Sequence, residues 1–178
     1  RYQGNIEVND FNKIAFGLES EESQVDADES NIDGSFLLYE FRPNNKIIIS
    51  TGIRNDDHEG FGSKTTRRIS GTFKPSDNLI IRSSWGEGFK VPTIFQSTYF
   101  CCGATIANSS IRPETSTSYD FGFELFFNEM NSNFSITYFD QDINDQINFS
   151  FGIGGYENID KVNLSLIHIS EPTRPSSI

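Results

Sequence analysis

A chain of 178 residues with 35% hydrophobic content is long enough to bury one ordinary domain core, so length excludes neither a soluble nor a membrane protein. The net charge of −11, with no basic run to offset it, excludes nucleic-acid binding, which needs a cationic footprint to neutralise phosphates. No apolar run reaches about 18 residues, which excludes a transmembrane helix but not a membrane β-barrel, whose strands need only about ten residues of alternating polarity.

Seventeen Phe and six Tyr against one Met and one Trp favour strands over helices, because aromatic rings sit well on a pleated surface. The chain begins at Arg1, inside what reads as a strand, and shows no signal peptide. Period-two alternation then recurs in segment after segment. Ile14, Phe16 and Leu18 face away from Lys13, Gly17 and Glu19; Leu37, Tyr39 and Phe41 face away from Glu40 and Arg42. Ile47, Ile49, Thr51 and Ile53 oppose Ser50, Gly52 and Arg54, and Leu79, Ile81, Ser83 and Trp85 oppose Arg82, Ser84 and Gly86. The alternation is cleanest from Tyr119 through Phe121, Phe123 and Leu125 to Phe127, with Ser118, Asp120, Gly122 and Glu124 on the second face. Phe134, Ile136 and Tyr138 repeat it against Ser135 and Thr137. One face suits lipid and the other water.

The connections fall into two sets. Asn9–Asn12, Pro43–Asn45, Pro75–Asn78 and Glu129–Asn133 read as tight hairpins rich in Asn, Asp, Ser and Pro. Asp26–Asn31, Asp56–Ser63, Phe89–Glu114 and Phe149–Gly155 read as longer or more acidic loops. Short turns at one rim and long loops at the other are the pattern of an outer-membrane barrel. The count is about nine strands in a meander, an odd number that fits part of a larger barrel and not a whole one. The fold expected is therefore all-β, a partial antiparallel transmembrane β-barrel. A soluble β-sandwich shares the alternation, but its strands are ordinarily shorter.

The acidic stretches Glu19–Glu29 and Asp56-Asp57-His58-Glu59 read as solvated loop rims or as carboxylate ligands for a divalent cation, without the spacing of a calcium loop. Cys101 and Cys102 are adjacent and without other cysteines, so they form a vicinal disulfide or two free thiols, and no CxxC-type metal site. His58 has no Ser or Cys nucleophile in a recognisable setting, and no glycine-rich phosphate loop opens a helix; the chain is expected to be no enzyme and to carry no cofactor and no metal site.

Several motifs then stand in order: Phe61-Gly62-Ser63-Lys64-Thr65-Thr66, Gly86-Glu87-Gly88-Phe89-Lys90-Val91-Pro92-Thr93, Ile111-Arg112-Pro113-Glu114-Thr115-Ser116 and Tyr156-Glu157-Asn158. In this order and spacing the chain, from about Tyr2 to Asn163, resembles the C-terminal half of a TonB-dependent outer-membrane receptor, nearest to the cobalamin and siderophore receptors. Val91 departs from the family's usual Ala, a change between two small apolar residues. The resemblance implies a plugged barrel of about 22 strands in the cell outer membrane of a Gram-negative bacterium, surrounded by lipid. It further implies a metal-chelate ligand and coupling to TonB through parts that lie outside this sequence. The residues that carry the family pattern are Phe61, Gly62, Thr65, Thr66, Gly88, Phe89, Lys90, Pro92, Arg112, Pro113, Glu114 and Asn158. Of these, Lys90, Arg112 and Glu114 either brace the rim by ion pairing or touch cargo.

The loop between the two proline motifs carries Phe95, Tyr99 and Phe100, which either stack on a planar ligand or pack the loop on itself. Trp85, Tyr119 and Phe127 read as an interfacial girdle, and Asp120 and Glu124 as lumen groups. A passive porin-like barrel and a soluble β-rich binding domain are the alternatives. The stretch Leu164–Ile178 breaks the pattern and resembles a translated sequencing-adapter read-through. The expected division is thus a barrel part over 1–163 and a non-native tail over 164–178.

Overall fold

The structure, a computed structural model, describes residues 1–25, 28–127 and 132–170. Nine strands follow one another in chain order and each pairs antiparallel with the next: β1 (Tyr2–Asn9), β2 (Asn12–Val25), β3 (Asp28–Asn44), β4 (Ile47–His58), β5 (Gly62–Ser76), β6 (Leu79–Lys90), β7 (Glu114–Phe127), β8 (Ser132–Ser150) and β9 (Gly155–Ser170). One short helix, α1 (Ile94–Thr98), interrupts the link from β6 to β7. The sheet is a single open layer, with β1 and β9 as its edges.

Register decides which side chains share a face. Tyr119, Phe121, Phe123 and Leu125 lie opposite Trp85, Ser83, Ile81 and Leu79, and these in turn lie on the side of Ile69 and Phe73. The same row logic carries Ile47, Ile49 and Ile53, then Leu37, Tyr39 and Phe41, then Ile14, Phe16 and Leu18, onto one continuous surface. Every apolar residue placed by alternation thus falls on a common outer face. That face is open: Phe16, Leu37, Ile53 and Phe121 are 45–52% exposed, and the only buried hydrophobic residues among those described are Ile111 and Ile147. A soluble domain of this size would bury many such side chains at about 1.5–3 kcal/mol each. Among the described residues no second layer covers them, and this face is left open to an apolar surrounding.

The inner face is polar and built around glycine. Gly17, Gly34 and Gly52 are buried. A Cβ on Gly17 would meet the Phe36 ring at 2.6 Å, and one on Gly52 would meet Leu38 Cδ2 at 2.5 Å. These glycines let large side chains of the neighbouring strand lie flat across the sheet. Ion pairs tie strands laterally on this face: Arg54 joins Glu19 at 2.5 Å, Arg82 joins Glu124 at 3.0 Å and Lys13 joins Glu7 at 2.6 Å, while Asp56, on the same strand, also holds Arg54 at 2.7 Å.

At one rim the turns are tight, as their Asn residues require. Asn9 Oδ1 accepts from Phe11 N at 3.0 Å, and Asn44 Oδ1 accepts from Lys46 N at 2.8 Å, so each side chain closes its own turn. The freed turn carbonyls are taken by the next hairpin: Arg42 N donates to Phe11 O at 2.7 Å and Lys74 N to Lys46 O at 2.7 Å. The fourth such turn falls largely on residues 128–131, outside those described, with Ser132 and Asn133 already in β8.

The opposite rim corrects the expected loops. Asp28–Asn31 belong to β3, Asp56–His58 to β4, Gly62 and Ser63 to β5, Phe149 and Ser150 to β8, and Gly155 to β9, so these strands run further than alternation shows; the β4–β5 and β8–β9 links are short turns, and residues 26–27 of the first expected loop lie outside those described. Only the link 91–113 is long. The acidic stretch Glu19–Glu29 is correspondingly strand at 19–25 and at 28–29, its Glu21, Glu22 and Ser23 paired with Ile32, Asn31 and Ser30, while residues 26–27 lie outside those described. At the chain's far end, Leu164–Ser170 continue β9 against β8, and residues 171–178 lie outside those described.

Candidate functional site

The long link and the motif residues meet at the upper rim, the end of the sheet where β6 leaves and β7 enters. Its foundation is a break in β8. Asp145 has a positive φ of 55°, and the β8–β9 ladder skips from Asn144↔Lys161 to Gln146↔Ile159. The register is the same on both sides, so one position of each strand is skipped without an inserted residue; backbone groups there lack ladder partners, and buried ones must be paired otherwise. The motif side chains do this. Asn158 Nδ2 donates to Asp145 O at 2.7 Å and to Arg112 O at 2.8 Å, while its Oδ1 accepts from Arg112 N at 2.8 Å. Glu114 Oε1 accepts from Ile147 N at 2.7 Å and from Lys90 Nζ at 3.2 Å. Arg112 Nη2 reaches Asp145 Oδ1 at 2.5 Å, and this hydrogen bond, with the charge behind it, raises the guanidinium pKa further above its already high value. Lys90, Arg112, Glu114 and Asn158 therefore form one clamp across β6, β7, β8 and β9. Pro92 is buried beside it, and Pro113 immediately precedes β7, where a missing N–H costs no ladder bond.

The first motif sits apart, at the β4–β5 turn. Gly62 has φ 74°, which suits glycine, and Phe61 places its ring 5.0 Å from that of His58. Asn55 Nδ2 donates to Thr65 Oγ1 at 2.9 Å, and Thr66 lies opposite Arg54. Gly88 lies opposite Ser116, whose side chain fills the space a Cβ would need, and Phe89 lies opposite Thr115 on the outer face. His58 is buried; its Nδ1 accepts from Gly60 N at 2.9 Å, so Nε2 carries the proton and donates to Ser30 Oγ at 2.9 Å. A general base for Ser30 would need the opposite polarity. The pair closes a turn.

The link 91–113 folds onto the β8–β9 hairpin. Thr93 caps α1 by accepting from Gln96 N at 3.2 Å while Gln96 Oε1 accepts from Thr93 N at 3.0 Å, a reciprocal box. The helix then approaches β9 and, across the concave side, β2 and β3. Phe95 and Tyr99 stack at 4.8 Å, and both meet Tyr156, whose ring lies 5.5 Å from Phe149. The loop aromatics thus pack on two strand residues that sequence reading had not joined to them. Phe95 stays 53% and Phe100 47% exposed, leaving an aromatic platform open at the rim. Cys101 and Cys102 are bonded to each other. Backbone contacts hold the loop down: Phe100 bridges Gly155, Cys101 N donates to Gly154 O at 2.7 Å, and Asn108 Nδ2 donates to Tyr156 O at 3.0 Å.

Gly154 is the tightest point of this contact. Its φ is 64°, and a Cβ there would overlap the Cys101 carbonyl oxygen and sit 3.0 Å from Ala104 Cβ. Gly154→Ala is expected to cost about 1–3 kcal/mol of local stability and to release the loop. Limited proteolysis of the folded protein should show faster cleavage within 91–113, with the strands unaffected; unchanged cleavage would contradict the docking.

Trp85, Tyr119 and Tyr138 gather at the upper edge of the apolar outer face, with Trp85 opposite Tyr119 and the Tyr119 and Tyr138 hydroxyls 3.5 Å apart. Asp120 faces inward, hydrogen-bonded by Ser84 Oγ, and Glu124 faces inward beside Arg82 and Asn133. No group of three or more metal-ligating side chains occurs among the described residues.

Comparison with known proteins agrees with this architecture. The model of the family described as TonB dependent receptor-like, beta-barrel matches residues 2–165. The chain is 30% identical over 129 residues to a vitamin B12 transporter BtuB of Vibrio vulnificus, covering 70% of this chain and 20% of that protein. It is 27% identical over 140 residues to a hemin receptor of Yersinia enterocolitica, covering 61% and 20%. Among solved structures, the siderophore receptor PirA from Pseudomonas aeruginosa superposes with a TM-score of 0.82 at 19% identity, over 94% of this chain and 35% of that one. The chain thus spans about a fifth of these curated relatives and about a third of the solved structure. The family is one of receptors and transporters whose barrels belong to the Gram-negative outer membrane, which favours this reading over a porin or a soluble domain. An open, nine-stranded sheet with one lipid-suited face, one charged face and a motif-built rim is what part of such a barrel wall requires, and the chain belongs to the TonB-dependent receptor-like β-barrel family.

Proposed function

We propose that these strands form part of the wall of an outer-membrane receptor that takes up a metal chelate of siderophore or cobalamin type, driven by TonB. The observation that carries the proposal is the family match over residues 2–165, supported by the aromatic platform that Phe95, Tyr99, Phe149 and Tyr156 raise at the rim. Relatives named as vitamin B12 transporters and a hemin receptor point to macrocyclic metal complexes as the first cargo to test. On this reading the rim with the 91–113 loop is extracellular, the tight turns are periplasmic, and the outer face meets outer-membrane lipid. Lys90, Arg112, Glu114 and Asn158 hold the rim in shape, and the exposed rings of Phe95 and Phe100 are the cargo-facing groups of this segment.

The same reading places the end of the native wall near residue 163. Beyond it Leu164 and Leu166 share one face while Ile167 and Ile169 share the other, so the one-sided pattern stops, and the family match stops at 165.

The test is uptake. The complete receptor carrying these strands is expressed in a Gram-negative host lacking its own cobalamin, hemin and siderophore receptors, and labelled cyanocobalamin, hemin and ferric siderophores are supplied with and without TonB. Uptake of one chelate that disappears without TonB supports the proposal. TonB-independent leakage of unrelated small solutes would contradict it and indicate a passive pore.

A further inference from the structure

The link 91–113 is pinned to the sheet at one turn, and that turn is built from two adjacent cysteines. Ala104 N donates to Cys101 O at 3.0 Å, closing a four-residue turn over Cys101–Ala104. Both central residues have positive φ, 61° at Cys102 and 101° at Gly103. Such a turn is ordinarily taken by Gly, Asn or Asp, because a Cβ is crowded in the left-handed region. Gly103 meets that demand and Cys102 does not. Cys102 is held there by the bond from its Sγ to that of Cys101, which closes a small ring over a single peptide unit.

The same turn is the loop's grip on the β8–β9 hairpin. Cys101 N donates to Gly154 O at 2.7 Å, and the Cys101 carbonyl lies so close over Gly154 that no Cβ fits between them. Phe100 bridges Gly155, and the ring of Tyr99 meets those of Tyr156 and Phe149. The backbone of Cys101 therefore does two jobs at once: its carbonyl closes the turn, and its N–H docks the loop. Cys102 is exposed while Cys101 is half-buried, so a small reagent reaches the bond from the Cys102 side.

We infer that Cys101–Cys102 is a redox latch: closed, it docks the 91–113 loop and its aromatic rings on the hairpin; opened by a low-molecular-weight thiol, it releases them. The thiolate of the small molecule attacks Cys102 Sγ, the S–S bond breaks, and Cys101 Sγ leaves as a thiolate that takes up a proton. A second small thiol attacks the sulfur of the first in the mixed disulfide and frees Cys102 Sγ as a thiol. The protein gains two electrons and two protons, and the two small thiols leave as their own disulfide. Without the ring Cys102 relaxes to negative φ, the turn opens and Cys101 loses its hold on Gly154. An oxidising exterior keeps the loop docked. The inference goes beyond the uptake reading and does not depend on it, because it concerns the loop alone.

The test uses the complete protein that carries these strands, folded in lipid vesicles. It is incubated with oxidised or reduced glutathione without denaturant; free thiols are alkylated and counted by mass, and cleavage within 91–113 is timed under limited proteolysis. With oxidised glutathione neither cysteine should be alkylated. With reduced glutathione both should be, and cleavage within the loop should quicken about tenfold, as the cost of an L-residue in the left-handed region is released into local opening. Reoxidation should restore the slow rate. The double variant Cys101→Ser with Cys102→Ser should be cut at the fast rate under both conditions. Cys101→Ser with Cys102→Gly, in which glycine takes positive φ freely, should be cut at the slow rate under both. Heat-modifiable gel mobility shows that the strands of each variant are folded. Cysteines alkylated without reductant, a bond that reduced glutathione leaves intact, or a reduced loop cut no faster than the oxidised one would overturn the inference. So would a glycine variant cut as fast as the double serine variant. Each of these outcomes leaves the uptake reading untouched.

Discussion

Arg in place of Phe121 is expected to prevent stable insertion of the barrel, while Arg in place of Ser135 is expected to be tolerated. Phe121 lies on the outer face between Ser83 and Tyr138 and is 52% exposed with nothing of the protein above it. A cation there meets hydrocarbon and costs about 2–4 kcal/mol near the midplane. The lost aromatic transfer adds about 1.5–3 kcal/mol. Ser135 lies on the inner face opposite Glu124, so an added guanidinium finds water and a carboxylate; its effect should stay within about 0.5 kcal/mol. Folded fraction after insertion into lipid vesicles, read by heat-modifiable mobility, separates the two. Equal tolerance of both substitutions would place the outer face somewhere other than lipid.

The second large effect belongs to Asn158. Its amide makes three hydrogen bonds that together replace the ladder at the skipped position Asp145 and fix the entry to β7. At about 1 kcal/mol net for each bond, and somewhat more where a partner is left unsatisfied, Asn158→Ala is expected to cost about 2–4 kcal/mol. Asn158→Asp should be no better. It keeps the acceptor for Arg112 N but turns a carboxylate oxygen towards the Asp145 and Arg112 carbonyls, where a donor is needed. Urea unfolding of the receptor in detergent, together with protease sensitivity of 91–113, measures both. A wild-type midpoint for the Asp variant would show that the clamp is not what holds the rim.

How far the sequence foretold this structure depended on which medium each residue meets. Where one face is apolar and the other polar, as from Tyr119 to Phe127, alternation is strict and both strand and facing were legible, while register came only with the structure. Where both faces are wet, at Glu21–Val25, Asp28–Asn31 and Asp56–His58, the chemical contrast between faces vanishes although the ladder continues, and strands read as loops. The tight turns were legible because Asn9 and Asn44 act within their own hairpins. The α1 cap also carried a local signal, Thr93 and Gln96 three residues apart after Pro92, which a search for capping boxes would have found.

The rim clamp carried none. Arg112, Asp145 and Asn158 are brought together across separations of 13 to 46 residues, and the skipped ladder position that calls for them shows only as one Asp among many. The motifs marked Lys90, Arg112, Glu114 and Asn158 as a set; only the strand pairing shows that they meet at a break in β8. The partners Phe149 and Tyr156 of the loop aromatics were hidden for the same reason.

Odd-numbered residues of β7 are expected to face lipid and even-numbered ones the lumen. Spin labels placed singly at positions 118 to 125 of the complete receptor, reconstituted in lipid vesicles, test it through accessibility to dissolved oxygen. Maxima are expected at 119, 121, 123 and 125 and minima at 118, 120, 122 and 124, in step with the pairing of β7 to β6 and β8. A flat profile, or maxima on the even positions, would contradict it.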